Sequence, residues 1–350
     1  MNRLKIILSP LAVIYFIITS FRNSLFKWGV LTQYKSSLPV LSIGNLSMGG
    51  TGKTPHVAFV LENTQHLKRA VISRGYGRKN KKLIEGNSAI HTSKDMGDEP
   101  MELLERFEGN HFKMIVEGKR AKALQHLESH DIPTDLVILD DGLQHQYAHR
   151  DLNVLLTEHN KPFYKDFVFP MGTLREHRNG AKRADIIIVT KCPENMSISD
   201  REEIISKITP YSSATVLFTK INHQGYLNRA NEEIELNRHK HYLLVTGIAN
   251  PKPLYKHLDD TNISYVPMKF PDHHNFSLKD LKEITEKSKD FEGIITTEKD
   301  WMRLRESLEI LGKSKPIFRL KIGVEFIDAQ QSKEFNEQLH SILLPRKKQN

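Results

Sequence analysis

The sequence contains little cysteine, no low-complexity tract and no uncharged apolar run of the ~20 residues that a spanning helix needs. Cys192 is the only cysteine among 350 residues, so an internal disulfide is impossible, which suits a reducing compartment. Hydrophobic residues make up 39% of the chain and charged residues 27%. These values favour a globular body over a disordered or polytopic protein, and the length allows two ordinary domains or one large one.

Acidic residues are in deficit, with 42 Asp and Glu against 51 Lys and Arg, which gives a net charge of +9 and a pI of about 9.3. A cationic surplus suggests an anionic partner, whether nucleic acid, an anionic membrane or a phosphorylated substrate. The basic clusters at 78–82 and 346–348 lack interleaved aromatics, and each is equally compatible with a solvated surface. No nucleic-acid-binding signature is present, so we expect no nucleic-acid partner.

The N-terminus carries an apolar segment, residues 6–21, that contains no charge and is followed by Arg22 and Lys27. It is short for a spanning helix, it contains Pro10, and no convincing signal-peptide cleavage site follows it. Basic flanks favour a helix that lies in the cytoplasmic leaflet, and residues 1–27 are predicted to associate with the membrane. The alternative is a buried helix that packs on the protein.

Short apolar strands alternate with helical segments in the first part of the chain. Strands are predicted at 38–43, 70–73, 111–116, 136–139, 153–156 and 186–190, with helices starting near residue 55 and spanning 99–107. This alternation is typical of an α/β fold in which a parallel sheet has helices on both faces. The sequence therefore predicts an α/β core domain over residues 28–205.

The pattern changes near residue 212. Residues 215–221 and 225–228 indicate a hairpin or an extended linker, assigned to 206–235. Further strands are predicted at 242–246, 293–297 and 317–320. They indicate a second, smaller α/β domain over residues 236–350.

A glycine-rich segment between the first strand and helix carries the strongest chemical signal. It consists of Ser47, Met48, Gly49, Gly50, Thr51, Gly52, Lys53 and Thr54. Backbone amides of such a loop cradle phosphate oxygens at a helix N-terminus. Lys53 would reach the β- and γ-phosphates, and the Thr54 hydroxyl would hold Mg²⁺. Ser47 replaces the first glycine of G-x-x-x-x-G-K-[ST]. The α/β core that carries this loop is therefore predicted to be of the P-loop NTPase type.

Asp140 and Asp141 follow the predicted strand 136–139, where a second carboxylate motif for Mg²⁺ is expected. Carboxyl ends of neighbouring parallel strands face one crevice, so these aspartates would lie beside the phosphate loop. Without that loop, a pair of turn residues would be the better interpretation. Gln144 and His145 follow with polar groups suited to a substrate site.

Two further motifs leave alternatives open. Asp98, in Gly-Asp-Glu-Pro before a helix, could cap that helix or accept the proton of an attacking hydroxyl. His273 and His274 could be metal ligands or surface turn residues, and their spacing does not rank the two. Cationic loops around Arg74, Arg120 and Arg175 would individually be solvated, but together they suit an anionic substrate.

Taken in order, the motifs GNLSMGGTGKTP, SRGYGR, GDEP, EGKR, DDGLQH, LRE, VTGIANP, DHH and TEKD resemble the tetraacyldisaccharide 4'-kinase family nearly end to end. The resemblance implies transfer of the ATP γ-phosphate, with Mg²⁺, to the 4'-hydroxyl of tetraacyldisaccharide 1-phosphate to give lipid IVA. It also implies a peripheral enzyme at the cytoplasmic face of the bacterial inner membrane, with two α/β domains around a cleft and no obligate protein partner.

The resemblance also assigns roles by matching position. Lys53 and Thr54 would hold phosphate and Mg²⁺, and Asp140 and Asp141 would complete the metal site. Asp98 would act as the base, with His273 as its dyad partner. The residues expected to contact the glycolipid head group are Asn45, Arg74, Arg120, Gln144, His145 and Arg175. Segments 247–251 and 297–300 would border the adenine.

Three rival functions fit parts of the sequence. A membrane-cycling assembly ATPase would carry a lysine where Met48 stands. A GTPase would carry N/T-K-x-D, whereas Thr190-Lys191-Cys192-Pro193 lacks the aspartate. A membrane-tethered nucleotide-binding scaffold would bind ATP without turnover.

Overall fold

The computed structural model describes residues 8–78, 80–109, 111–272, 274–308 and 315–344. The strands are β1 (Val40–Asn45), β2 (Arg69–Ser73), β3 (Ile84–Glu85), β4 (Phe112–Val116), β5 (Leu136–Asp140), β6 (Leu152–Glu158), β7 (Ile186–Thr190), β8 (Thr215–Leu227), β9 (Glu233–Ile234), β10 (His241–Thr246), β11 (Ser264–Lys269), β12 (Gly293–Thr297) and β13 (Ile317–Phe326). The α-helices are α1 (Ser9–Lys27), α2 (Lys53–Asn63), α3 (Ser93–Met96), α4 (Asp98–Phe107), α5 (Arg120–Ser129), α6 (Ile198–Ile208), α7 (Lys252–Asp260), α8 (Leu278–Ser288), α9 (Glu298–Leu308) and α10 (Ala329–Leu343). Two 3₁₀ turns span Phe163–Lys165 and Arg178–Arg183.

The strands of the described chain form one continuous sheet in the order β11-β10-β12-β13-β8-β7-β6-β1-β5-β2-β4-β3, and β9 pairs with β8. All neighbours from β8 through β7, β6, β1, β5 and β2 to β4 are parallel, and so are those from β13 to β11. Where the two parallel runs meet, β8 and β13 pair antiparallel. The sheet is therefore two parallel blocks joined along one seam.

Adjacent residues of the central strands pack into different cores. Leu41 joins Val57 and Leu61 of α2 in one cluster, whereas Val40 joins Leu124 and Leu127 of α5 in another. Because successive side chains of a strand point to opposite faces, both faces of the sheet are covered by helices. The predicted α/β class with helices on both faces is confirmed.

Most predicted strands are found within a few residues of their predicted bounds, and 186–190 and 293–297 match β7 and β12. The segment predicted as a hairpin or linker is different, because 215–227 form one continuous strand, β8. Its first part pairs with β7 and its remainder with β13. The chain reverses only afterwards, into β9.

The C-terminal helix α10 returns to the first block of the sheet. Phe335 packs on Phe59 of α2 and on Phe326, with ring centroids 6.0 and 5.4 Å apart. The Gln331 side chain accepts a hydrogen bond of 2.7 Å from the Phe218 amide. The described residues after 236 therefore do not all pack in the second block.

The N-terminal helix α1 contacts the body of the protein through a few side chains. The Tyr15 hydroxyl donates to the Arg175 carbonyl at 2.9 Å, and the Phe26 ring packs on Tyr147. Much of its remaining apolar surface is exposed. None of the described helices has an apolar stretch of the length required to cross a bilayer.

Candidate active site

The phosphate-loop candidate connects β1 to α2, as the sequence predicts. Gly52 takes the N-cap position of α2 with φ 88°, a left-handed conformation that glycine adopts without strain. The Asn45 amide donates to the Thr51 hydroxyl at 2.8 Å, which fixes the loop to the end of β1. No neighbouring heavy atom lies within 4 Å of a Cβ built on Gly49 or Gly50, so the space beside these two glycines is open.

A second loop runs along the phosphate loop. The Met48 amide donates to the Thr173 carbonyl at 2.7 Å, and the Arg175 amide donates to the Leu46 carbonyl at 2.7 Å. These backbone hydrogen bonds place Arg175 beside the phosphate loop. The LRE motif therefore becomes part of the same site.

Asp141 lies between the two predicted phosphate-binding cations. Its Oδ1 is 3.7 Å from the Lys53 Nζ, and its Oδ2 accepts a 2.6 Å bond from the Arg175 Nη1. Burial opposes ionisation, but Lys53 and Arg175 together hold the pKa of Asp141 below its usual value. Asp141 is thus an ionised carboxylate between two cations.

Asp140 has a different environment at the end of β5. Its Oδ2 accepts a 2.8 Å bond from the Ser73 hydroxyl, while its Oδ1 is buried without a hydrogen-bond partner in the described structure. Burial, and then the nearby carboxylates of Glu99 and Asp141, raise the pKa of Asp140 to about 6. A bound cation would satisfy this buried carboxylate, whose Oδ1 is left without a partner.

These residues fit Mg²⁺, and Thr54, Asp140 and Asp141 would hold it. The described residues contain no group of three His, Cys, Asp or Glu side chains able to hold a metal alone. Mg²⁺ is commonly bound by only one or two carboxylates, together with water and substrate phosphates. The donor set found here is of that kind.

Replacing Asp140 with asparagine is expected to raise thermal stability at pH 7.5, while it removes activity. A raised carboxyl pKa stabilises the fold below the unfolded value of about 3.8, and that contribution is lost as pH rises through about 6. Asparagine cannot ionise, so the variant does not lose stability as the pH rises above 6. Scanning calorimetry should show an increase in Tm of a few degrees at pH 7.5 and little difference at pH 4. An equal change in Tm at both pH values would contradict the raised pKa of Asp140.

The predicted substrate residues lie around this centre, but they do not share one environment. Arg120 is only 1% exposed and donates to the carbonyls of Glu117 and Asp140, so it supports the end of β5 from below. Arg74, by contrast, is exposed. Burial, and then the Arg120 charge, lower the pKa of His145 to about 3, which keeps this ring neutral.

Gln144 links several of these groups. Its side-chain amide donates to the Asn45 carbonyl at 2.9 Å and to Glu176 at 3.0 Å. Glu176 also accepts from Arg183 and from Asn23 of α1. The six residues are thus placed around one centre, and their contacts with a head group stay a prediction.

Sequence reasoning missed the polar groups that α1 contributes. Arg22 donates to the Gln144 carbonyl at 2.9 Å, and Asn23 donates to Glu176 at 2.7 Å. The sequence signal that could have indicated them is the change from apolar to polar residues immediately after residue 21. The N-terminal helix therefore borders the site itself.

Asp98 is the first residue of α4, and the N-cap position belongs to Gly97, which makes no side-chain capping bond. The cap alternative for Asp98 is therefore not observed. Gly97, with φ 92°, packs so tightly on the 74–77 loop that a Cβ would lie 2.8 Å from the Tyr76 carbonyl oxygen. This close backbone contact fixes the start of α4 beside the SRGYGR loop.

An arginine from the other block of the sheet holds Asp98. The Nε and Nη2 of Arg303, on α9, lie 2.7 and 2.6 Å from the Asp98 Oδ2, and the Arg303 side chain is only 5% exposed. Arg303 also approaches Asp300 at 3.7 Å. Sequence reasoning missed Arg303, whose only signal was its position three residues after the TEKD motif.

The second predicted member of the dyad, His273, lies outside the described residues. Its neighbour His274 donates a 3.0 Å bond from Nε2 to the Asp280 carboxylate and stacks on Phe270. The His274 carbonyl is 3.5 Å from the Arg303 Nη1, so His274 lies beside the Asp98–Arg303 contact.

The segments predicted to border the adenine contact each other. Asp300 accepts a 2.9 Å bond from the Gly247 amide and a 2.9 Å bond from the Thr297 hydroxyl. These bonds join the end of β10 to the start of α9 and so set the position of Arg303. A role next to adenine stays a prediction.

Comparisons with known proteins identify the family that this chain resembles over nearly its whole length. Residues 4–343 match the family profile described as tetraacyldisaccharide-1-P 4'-kinase. A tetraacyldisaccharide 4'-kinase of Flavobacterium johnsoniae is 37% identical over 335 residues, covering 95% of this chain and 96% of the relative. One of Flavobacterium psychrophilum is 37% identical, covering 97% of both chains. A crystal structure of LpxK from Aquifex aeolicus in complex with ATP superposes with a TM-score of 0.77 at 25% identity, covering 97% of this chain and 99% of that one.

Proposed function

We propose, on the premise that this chain belongs to the tetraacyldisaccharide-1-phosphate 4'-kinase family, that its reaction takes place where β1 and β5 end. The chain is a lipid A biosynthesis kinase that transfers the ATP γ-phosphate to the 4'-hydroxyl of tetraacyldisaccharide 1-phosphate to give lipid IVA. This location is inferred from one observation, which is that Asp141 forms ion pairs with both Lys53 and Arg175 beside the phosphate loop.

In this proposal the amides of 47–54 and Lys53 hold the triphosphate of ATP. Mg²⁺, held by Thr54, Asp140 and Asp141, would neutralise charge that develops on the phosphate oxygens. The 4'-oxygen forms a bond to the γ-phosphorus as the bond to the β–γ bridging oxygen breaks, and ADP leaves. Arg175, released from Asp141 by the incoming charge, would bind an anionic group of the substrates.

The proton of the 4'-hydroxyl would pass to Asp98. Glu99, the next residue, is close enough to raise the pKa of Asp140, which supports a location of the α4 N-terminus beside the metal carboxylates. Arg303 orients Asp98 from the second block, and His273 would be its dyad partner. We also propose that the chain divides into domains 28–205 and 236–350, joined by 206–235, with α10 of the second domain packed back on the first. Arg303 already joins the second domain to Asp98, and further closure would bring the dyad imidazole there.

The reaction itself is tested by its product. The protein is incubated with ATP, Mg²⁺ and a panel of acylated disaccharide 1-phosphates that includes a variant with a blocked 4'-hydroxyl. Mass spectrometry is expected to show one added phosphate on every acceptor except the blocked one. ATP hydrolysis without a phosphorylated lipid would favour the assembly ATPase, and ATP binding without either reaction would favour the scaffold.

The surface of α1 supports a location at the membrane. Its outward apolar side chains are 36–62% exposed, and they are Leu11, Val13, Ile14, Phe16, Ile17, Ile18 and Phe21. Phe169, 44% exposed, continues this surface through its ring contact with Tyr15. Because Arg22 of the same helix reaches the Gln144 carbonyl, a bilayer bound here would present a glycolipid head group to the site. We propose that the protein works at the cytoplasmic face of the inner membrane.

The double substitution Ile14→Glu/Ile18→Glu is expected to weaken partitioning onto anionic phospholipid vesicles by at least about tenfold. Both side chains are more than half exposed, so the fold should be preserved while two apolar contacts with lipid become charged. Sedimentation with vesicles measures the effect. Ile198→Glu is the matched control, since Ile198 is 68% exposed on α6. Equal partitioning of all three proteins would contradict the membrane surface.

A further inference from the structure

A buried histidine of α2 is bonded to the end of the phosphate loop. His56 is only 3% exposed. Its Nδ1 lies 2.7 Å from the Gly52 carbonyl oxygen, and its Nε2 lies 3.1 Å from the Thr219 hydroxyl of β8. Both polar atoms of the ring therefore have partners inside the protein, and one of these partners belongs to the predicted phosphate site.

The two partners determine which ring nitrogen of His56 carries the proton. A carbonyl oxygen can only accept, so Nδ1 must be the donor to Gly52. Neither partner is charged, and burial lowers the pKa of His56 to about 4, so the ring is neutral. The unprotonated Nε2 then accepts from the Thr219 hydroxyl. The imidazole is thus held as the Nδ1-protonated tautomer, with its N–H directed at the phosphate loop.

The Gly52 carbonyl belongs to the same peptide group as the Lys53 amide. In a planar trans peptide the C=O and the N–H point in opposite directions, so an interaction that fixes one also fixes the other. Gly52 has φ 88°, and a glycine restricts rotation of the adjoining peptide less than any other residue. The His56 backbone amide also donates to this carbonyl at 3.2 Å, a longer bond than that of Nδ1. The side chain therefore adds a second and shorter restraint that directs the Lys53 N–H away from α2.

The other partner, Thr219, lies where β8 passes from one block of the sheet to the other. The preceding residue, Phe218, pairs with Val189 of β7, whereas Thr219 pairs with Phe326 of β13. Thr219 is completely buried. His56 therefore connects the phosphate loop to the place where the two parallel blocks join, which is a rigid part of the sheet.

We propose that His56 is a positioning residue for phosphoryl transfer, which holds the Gly52 carbonyl so that the Lys53 amide faces the phosphates of the bound nucleotide. This inference rests on the proposed function and deepens it. A donor that is already oriented binds an anion without the cost of ordering the loop. Without the Nδ1 bond, the peptide between Gly52 and Lys53 is freer to rotate in the unbound protein, and nucleotide binding has to order it.

Asparagine and glutamine each reproduce one half of the imidazole, which gives a matched pair of variants. The Asn amide nitrogen takes the place of Nδ1 and can donate to Gly52, whereas the Gln amide extends to the place of Nε2 and can bond only to Thr219. His56→Gln is expected to weaken binding of ADP with Mg²⁺ by about tenfold, and His56→Asn by no more than about threefold. Calorimetry measures both affinities, and melting curves report the stability of each variant.

Both substitutions remove the same ring from the same buried place, so a loss of packing would affect them alike. Equal losses of affinity in His56→Asn and His56→Gln would mean that His56 only fills space, and the inference would be overturned. It is also overturned if neither affinity changes, since the backbone bond from the His56 amide would then be sufficient. The same order of the two variants is expected in kcat/KM for ATP.

The parent chain tests the tautomer without any substitution. In protein labelled with ¹⁵N-histidine, NMR is expected to show a neutral, Nδ1-protonated ring whose signal shifts when ADP and Mg²⁺ are added. If none of the 17 histidines behaves in this way, the inference is overturned, whether or not the variants fold. None of these binding measurements requires the lipid acceptor. They therefore distinguish failure of this inference from failure of the kinase reaction, which is decided by the phosphorylated lipid.

Discussion

Replacing Lys53 with alanine is expected to reduce phosphoryl transfer by about 10³-fold or more. The Lys53 side chain is only 11% exposed, and its ammonium lies 3.7 Å from Asp141 at the start of α2. In the complex this charge would stabilise the developing charge on the transferred phosphate, and no water can replace a cation at a fixed position. Initial rates of radiolabelled phosphate transfer at saturating ATP measure the loss.

Lys207→Ala is the control for Lys53, because Lys207 is a surface residue of α6 whose partner is Glu203 on the same helix. It should retain wild-type rates. Melting curves of both variants should lie near that of the parent chain, since removal of Lys53 leaves Asp141 with Arg175. Transfer within a few-fold of the parent rate in Lys53→Ala would mean that the loop at 47–54 does not hold the transferred phosphate.

Asp98→Asn is expected to lower kcat by roughly 10²–10⁴-fold and to leave the KM for ATP nearly unchanged. Asparagine has the same shape and keeps an oxygen for Arg303, so the contact between the two blocks should survive. What is lost is the capacity to accept the hydroxyl proton in the transition state. Steady-state kinetics with varied ATP and glycolipid separate kcat from KM.

Asp200→Asn provides a comparison at another helix start, because Asp200 belongs to the capping box of α6 and is remote from the site. It should lose a little stability and no catalytic rate. If Asp98→Asn resembles it, with a lower Tm and an unchanged kcat, then Asp98 is a structural partner of Arg303 and the base must be sought elsewhere. A rise in the KM for ATP alone would instead indicate a role in nucleotide binding.

The phosphate loop and the paired aspartates could be predicted because their chemistry is local. Ser47–Thr54 needs only a preceding strand and a following helix, and a strand that ends at Asp140 places Asp140 and the next residue, Asp141, at the same edge of the sheet. Tertiary contacts with no local signature were not predictable. Arg303 meets Asp98 from 205 positions away in the chain, and nothing around either residue indicates the other.

The environments of the cationic residues could not be predicted from the sequence either. Arg120 and Arg74 both look like loop cations, yet one is buried beneath β5 and the other is exposed. The difference arises because α5 starts at Arg120 and packs its first turn under the Asp140 carbonyl. The continuous strand β8 was also missed, since Gly225 resembles a turn residue until a neighbouring strand is present to pair with it.

The return of α10 has a consequence for how the polypeptide matures during its synthesis. Phe335 and Leu339, from α10 near the end of the described residues, share a core with Val57 and Leu61 of the first nucleotide-binding helix. A nascent chain that stops at residue 328 would leave this apolar surface of α2 uncovered, whatever the state of the other strands. The ATP-binding half should therefore reach its protease-resistant form only after α10 has been synthesised, and removal of α10 should destabilise the phosphate-loop half of the molecule.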